Sequence, residues 1–372
     1  MSWPLVKLGT LVAIKTGRLD ANAADDKGLY PFFTCSRDPL RINTHAFDCD
    51  AILIAGNGDL NVKHYSGKFN AYQRTYVVTS LSDKHLDTRY LFYFMDKYVE
   101  RLRELSIGGV IKYIKLGMLT DAEIPLPPLS EQKRIAAILD KADAIRRKRQ
   151  QAIQLADDFL RAVFLDMFGD PVTNPKGWPS VKLGDVCGVG SSKRVFVDEF
   201  TDSGVPFYRG TEVGLLGQGQ QIHAELFISQ EHYENLVSHS GAPSVGDLLL
   251  PSICHDGRIW KVNHKEQFYF KDGRVLWIKV NWKLIDSDYL RSYLQRMFFS
   301  NYSAIASGTT FAELKIVNLK AMNILSPPLA LQRKFSELVK VISDSGKLYA
   351  TADMEGEDLF SSLAKQAFSG QL

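Results

Sequence analysis

Residues 124–132 read IPLPPLSEQ, and residues 324–332 read ILSPPLALQ. In the first copy, Pro127-Pro128 stops any preceding element, Ser130 is placed as an N-cap, and Glu131 puts an acid in a first helical turn. A long amphipathic stretch follows. Apolar or small residues recur at Ile135, Ile138, Ala142, Ile145, Ala152, Ala156, Phe159 and Val163, with Arg149 in one seam position. Steps of three and four are the stripe of a coiled-coil helix. The same register at an offset of 200 gives Phe335, Leu338, Ile342, Ser345, Tyr349, Ala352, Gly356, Leu359 and Leu363. Each helix extends over about 39 residues, or ~58 Å at the helical rise. The first ends at Gly169-Asp170-Pro171, a C-cap glycine followed by proline.

Working outward from the two boxes, the whole chain is an internal duplication. WPLVKLG at 3–9 recurs as WPSVKLG at 178–184. Asp50-Ala51-Ile52-Leu53 parallels Asp247-Leu248-Leu249-Leu250, Arg74 parallels Arg274, and Gly108 with Lys115 parallels Gly308 with Lys315. The matches keep their order, and the second half has gained loop residues in its first third. The period is far too long for a solenoid. The reading is α+β: two mixed α/β globular copies, each followed by a long helix. VVTSL (77–81) and VLWIKV (275–280) are strands, and Tyr90–Met95 and Tyr289–Leu294 open short helices. The segments are 1–128, 129–169, 170–328 and 329–372. A stripe of this kind serves a helix packed on its own domain or two helices paired with each other. Two copies on one chain favour a pseudo-two-fold, which brings the helices together as an antiparallel coiled coil, crossing near Arg149 and Tyr349.

Composition narrows the function. Of 372 residues, 45% are hydrophobic and 23% charged, an ordinary globular balance. No apolar run approaches the length of a membrane span, so no membrane partner is expected. The start, MSWPLVKLG, lacks the features of a signal peptide, and the four cysteines form no CxxC pair; a reducing cytoplasm is the expectation. The net charge of +3 neither announces nor excludes a nucleic-acid partner.

Catalytic patterns are missing. Gly346-Lys347-Leu348 and Gly67-Lys68-Phe69 lack the glycine pattern and hydroxyl of a phosphate-binding loop, and Gly56-Asn57-Gly58 is only a fragment of a dinucleotide motif. Ser326-Pro327-Pro328-Leu329 approaches the tetrapeptide of amino-methyltransferases, but Leu329 offers no stacking face. The eight histidines show no ligand spacing, so no metal site is expected.

The stretch IPLPPLSEQKRIAAILDKAD at 124–143, with FLDMFGDPVTNPKGWPSVKLGDV at 164–186, resembles the central region of type I restriction–modification specificity subunits. The resemblance covers the whole chain as two target-recognition domains, each followed by a repeated helix. It implies a non-catalytic subunit that reads double-stranded DNA, each recognition domain taking one half of a split, asymmetric site while the helices fix the spacing. It implies two methyltransferase (modification) subunits, carrying S-adenosylmethionine, and two restriction subunits, using ATP and magnesium, with no cofactor on this chain. The second box departs from the first in replacing Glu131 by Leu331 and keeps Gln332 for Gln132.

Duplication also sorts the candidate DNA contacts. Polar residues shared by both copies, Arg74/Arg274, Lys115/Lys315 and Lys7/Lys182, cannot distinguish two half-sites and are structural or phosphate-positioning. Base readers belong where the copies diverge, with Arg or Lys for guanine and Asn or Gln for adenine. In the first copy these are a loop of Asn57, Asn61, Lys63 and His64, with Asn70, Tyr72 and Gln73 nearby. In the second they are His255, Arg258 and Lys261, with Lys193, Arg194 and Arg209. A solvated loop side chain is the alternative for each. The Gly108-Gly109 and Ser307–Thr310 loops offer backbone N–H groups to a phosphate, or are plain turns. Two other functions fit the same pattern: a DNA-binding scaffold without a modification partner, and a duplicated protein-interaction module.

Overall fold

The apolar run Ala51–Ala55 is the buried centre of a sheet, and Leu248–Leu250 occupies the same place in the second copy. The computed structural model describes residues 3–307 and 312–371, and of residues 345–359 and 361 the backbone alone. The first copy starts with β1 (Leu5–Lys7), β2 (Val12–Thr16), β3 (Tyr30–Phe33) and β4 (Leu40–Ile42). Then come β5 (Phe47–Ala55), β6 (Val62–Ala71), β7 (Thr75–Ser80), α1 (Thr88–Leu105), α2 (Leu116–Thr120), β8 (Glu123–Pro125) and the long α3 (Leu129–Phe168). Its main sheet has the order β2-β7-β5-β6-β3-β4, with β3 and β6 parallel.

The second copy runs β9 (Ser180–Lys182), α4 (Leu183–Val186), β10 (Cys187–Gly190), β11 (Phe200–Thr201), β12 (Val205–Tyr208) and α5 (Gly210–Gly217). It continues β13 (Phe227–Ile228), α6 (Gln230–Ser240), β14 (Leu248–Pro251), β15 (Trp260–Lys261), β16 (Tyr269–Phe270) and β17 (Val275–Val280). It closes with α7 (Ser287–Ile305), α8 (Ile316–Ala321), β18 (Asn323–Leu325) and α9 (Leu329–Ser369). Its two larger sheets are β10-β17-β14-β15 and β11-β13-β12-β16, with β12 and β16 parallel like β3 and β6. The residues gained by this copy are not all loop, since α5 and α6 fall among them. Nor are α1 and α7 short: α1 has 18 residues, and α7 spans 19 with a kink at Asn301, whose φ and ψ are not helical; Asp87 and Asp286 cap their starts.

Backbone and side-chain bonds repeat from copy to copy. Leu8 N–H donates to Ala122 O as Leu183 N–H does to Met322 O, and the Tyr90 hydroxyl donates to Pro125 O as that of Tyr289 does to Leu325 O. The box itself is a latch. Gln132, with no exposed surface, accepts from Asp87 N–H (2.9 Å) and donates to Pro127 O (2.8 Å) and His85 O (2.9 Å). Gln332 repeats two of these, to Asp286 N–H (2.9 Å) and Pro327 O (2.7 Å). The helix begins at Leu129 rather than after Ser130, because Pro128 O already accepts from Glu131 and Gln132 N–H. Glu131 pairs with the half-exposed Arg134 three residues on, a surface contact of small worth, and the second copy has Leu331 at this place.

The chain divides into two compact units, residues 1–151 with 349–372, and residues 152–348. In the first, the end of α9 packs on α1: Phe368 lies 5.3 Å from Tyr90 and 5.6 Å from Phe94, and Phe360 lies 6.0 Å from Tyr93 and beneath the Arg146 guanidinium. In the second, Phe164 and Phe168 of α3 close around Tyr289 and Phe335. Within the first unit, Arg146 of α3 meets Phe360 of α9, and Ile135, Ala136 and Leu139 share a core with Ala364 and Ala367, so these stretches of the two long helices run antiparallel. Within the second, Phe164 and Phe168 meet Phe335. The expected stripe is shifted toward the globular packing. Ile135, Ala136, Leu139, Phe164 and Phe168 are the buried apolar residues of α3, while Ile145 and Phe159 stay 50% and 53% exposed. The expected crossing partner Tyr349 lies outside the residues whose side chains are described. Gly169 adopts φ +79° and donates to Leu165 O, ending α3 as a C-cap glycine does. Among the described residues no helix is long and apolar enough to cross a membrane.

Candidate nucleic-acid interface

In the first unit, hydrogen bonds gather five loops into one cluster. Arg74 O accepts from Gly56 N–H (2.8 Å) and the Cys35 thiol, and Gln73 N–H donates to Leu19 O (2.9 Å). Asn61 Nδ2 donates to Cys35 O (2.9 Å), Arg37 pairs with Asp59 (3.0 Å), and Gly58 N–H donates to Lys112 O (3.0 Å). This cluster presents Asn57, Tyr72, Gln73 and Arg74; Gln73 and Arg74 are exposed, and Asn57 and Tyr72 half-buried. Exposed Arg18, Arg37 and Lys112 stand in the same loops and were not singled out by the sequence. Divergence between the copies points to Lys112, whose counterpart is Ala312.

The other first-copy candidates are committed elsewhere. Lys63, His64 and Asn70 are strand residues of β6, not loop residues, because β6 begins at Val62. Arg89 is always protonated and can only donate, so His64 Nδ1 accepts from it at 3.2 Å and the ring proton sits on Nε2, bonded to Asp50 at 2.7 Å. Arg89 is in turn held by Asp140, which also accepts from the Tyr93 hydroxyl (2.6 Å). Asn70 is buried between Thr44 and Ala71 N–H. Asn61 bonds Cys35 O and Asp59 O, and the Lys63 ammonium donates to Asn61 and Thr34 O. Burial pulls Lys63 down to about 8.

The second unit builds the same cluster. Ser252 N–H donates to Arg274 O (2.8 Å) and Leu314 N–H to Ser252 O (2.7 Å), matching Gly56 to Arg74 and Ile114 to Gly56. Here the loops enclose a cleft of about 430 Å³ lined by Arg209, Arg258, Lys271 and Arg274. Lys271 was not singled out, although its turn is the counterpart of Tyr72–Arg74. Carboxylates hold the three arginines in place. Glu212 and Glu225 engage Arg209, Asp256 engages Arg258 (2.6 Å), and Glu313 engages Arg274. Burial works to raise the Glu212 carboxyl, but hydrogen bonds from Arg209 and the backbone leave it below its ordinary value, ionised against the guanidinium. Arg194 joins the turn through Asp272 (3.2 Å), with exposed Lys193 beside it. His255 is exposed, 6.2 Å from the Tyr302 ring. Lys261 is spent inside the fold on nearly buried Asp288 (2.6 Å), which also accepts from Ser336.

Each cluster therefore gathers donors suited to phosphates and base edges on a framework fixed by backbone bonds. Residues 308–311, part of the second glycine loop, lie outside the described residues. Among the described residues no three His, Cys, Asp or Glu side chains are placed to hold a metal ion. All four cysteines are free.

The family model "Type I restriction modification DNA specificity domain" matches residues 2–155 and 175–348. The chain is 40% identical over 184 residues to the type I restriction enzyme EcoDI specificity subunit of Escherichia coli, a match spanning 48% of this chain and 40% of that protein. It is 26% identical over 322 residues to the putative specificity subunit S.HindORF215P of Haemophilus influenzae, covering 84% of this chain and 80% of that one. In three dimensions it resembles the S subunit of a type I restriction–modification system from M. genitalium, with TM-score 0.69, 16% identity, and 99% and 96% of the two chains covered. Matched twice by one family model, once in each copy, the chain belongs to the type I restriction–modification DNA specificity family.

Proposed function

We propose that the chain is the DNA-reading subunit of a type I restriction–modification complex, each unit recognising one half of a bipartite, asymmetric duplex site. One observation carries this reading. The same loop cluster is built twice by matched backbone bonds, yet beside the shared Arg74/Arg274 it presents Asn57, Tyr72 and Gln73 in one copy and Lys193, Arg194, Arg209, Arg258 and Lys271 in the other. A common frame with different donors is what two different half-sites require.

In this reading the chain supplies no chemistry. Methyl transfer falls to two modification subunits carrying S-adenosylmethionine, and cleavage to two restriction subunits using ATP and magnesium, all in the cytoplasm. The long helices set the spacer and dock the modification subunits.

The test is the map of modified sites in DNA from cells carrying the chain with its modification partner. Asn57→Ala or Gln73→Ala relaxes the first half-site only, and Arg258→Ala the second only, by roughly 1–3 kcal/mol per lost base contact. Arg74→Ala weakens binding without changing the sequence read, and lowers its salt dependence. A single substitution that altered both half-sites would overturn the division.

A further inference from the structure

Between α1 and α2, Ile107 and Tyr113 exchange both backbone hydrogen bonds (3.0 and 2.9 Å) and close a narrow hairpin. Gly108 turns it at φ +112°, where a Cβ would stand 2.6 Å from Ile111 O. The base is tied to the DNA-facing cluster twice, by Gly58 N–H to Lys112 O and by the bridge between Asn57 and Tyr113. The apex is apolar. Val110 is fully exposed and Ile111 63% exposed, with exposed Lys112 next in sequence and exposed Lys115 beyond. The hairpin thus holds two adjacent branched side chains in water at its apex.

We propose that Val110 and Ile111 form a wedge that enters the base stack beside the first half-site and kinks the duplex there. This rests on the reading of the chain as a DNA-binding subunit. Continuity with Asn57, through the same two ties, puts the apex on the DNA side of the unit. Lys112 and Lys115 are positioned to neutralise phosphates flanking an opened step. Apolar side chains act in this way when the cost of unstacking is offset by extra contact with the bent duplex. Because pyrimidine–purine steps open most easily, the wedge adds a preference at a position that no hydrogen bond reads.

The experiment uses the full chain and a duplex carrying its mapped site, with 2-aminopurine placed at successive positions. Wild type brightens the probe at one step next to the first half-site. Val110→Ser with Ile111→Ser abolishes that signal and weakens binding about tenfold, at unchanged melting temperature. Val110→Ile with Ile111→Val keeps both. If wild type binds the duplex and no position brightens, or if the serine variant brightens it equally, the wedge is refuted. If the serine variant keeps unstacking and instead loses its modification subunit, the tip is a protein contact and the wedge is again refuted. Absence of any salt-sensitive duplex binding by wild type refutes the DNA-reading function itself, and the wedge with it.

Discussion

A glutamine without exposed surface joins the starts of two helices in each copy. Gln132 satisfies three backbone groups, at His85, Asp87 and Pro127. Gln132→Leu keeps most of the volume and leaves them unpaired, at about 1–3 kcal/mol each, so a loss of at least ~3 kcal/mol is expected in denaturant melts. Gln332→Leu loses less, since two bonds are at stake. Lys63 gives a pH-dependent case. Its folded value of about 8 lies below the ordinary 10.5, so the unfolded chain binds more protons between these limits and stability rises with pH across them. Lys63→Met therefore raises the melting temperature at pH 7, and the gain shrinks from about pH 8 toward 10.5. A gain that stayed constant with pH would exclude buried charge as the cause. Candidate residues were legible by type and divergence, but not by engagement. Nothing in the sequence separates exposed Gln73 from His64, whose ring is held by Asp50 and Arg89, or Arg258 in the cleft from Lys261 on Asp288.

The long helices show why an apolar stripe is an incomplete guide. Periodicity placed α3 and α9 and their antiparallel pairing, yet the most buried residues follow the globular cores at each end. Ile145 was assigned to the seam and is half exposed, while Phe164 and Phe168, outside the stripe, are buried among Tyr289 and Phe335. The end of α9 belongs to the core of the first unit, through Ala364 and Ala367 with Phe360 and Phe368 packed beside them. Removing residues 360–372 strips two phenylalanines from Tyr90, Tyr93 and Phe94. Both rings are only partly buried, so each costs less than the about 3–5 kcal/mol of a fully buried aromatic, but together with buried Ala364 and Ala367 their loss should destabilise the first unit. Hydrogen exchange is the measurement: amides of α1 lose protection, while those of α7, in the other unit, keep theirs. Equal loss in both would show that the tail's packing is not local to the first unit.

At the scale of the molecule, duplication was the most legible feature, because seven-residue and nine-residue matches survive where single contacts diverge. What it hid was the insertion of α5 and α6, which separates one six-stranded sheet from two four-stranded ones. In the proposed function each unit reads its own half-site and the helices set the distance between the half-sites. Four residues inserted at Gln150–Gln151 lengthen α3 by ~6 Å and turn it by about 40° beyond a full turn. The decisive measurement maps modified sites in cells carrying this variant with its modification partner, beside wild type. Wild type should mark a two-part site of fixed spacer. The variant should mark the same half-sites, less completely, with a spacer longer by one or two base pairs at roughly 3.4 Å each. A folded, partner-bound variant that marks sites of the original spacing, or a wild-type site that is continuous, would contradict the account.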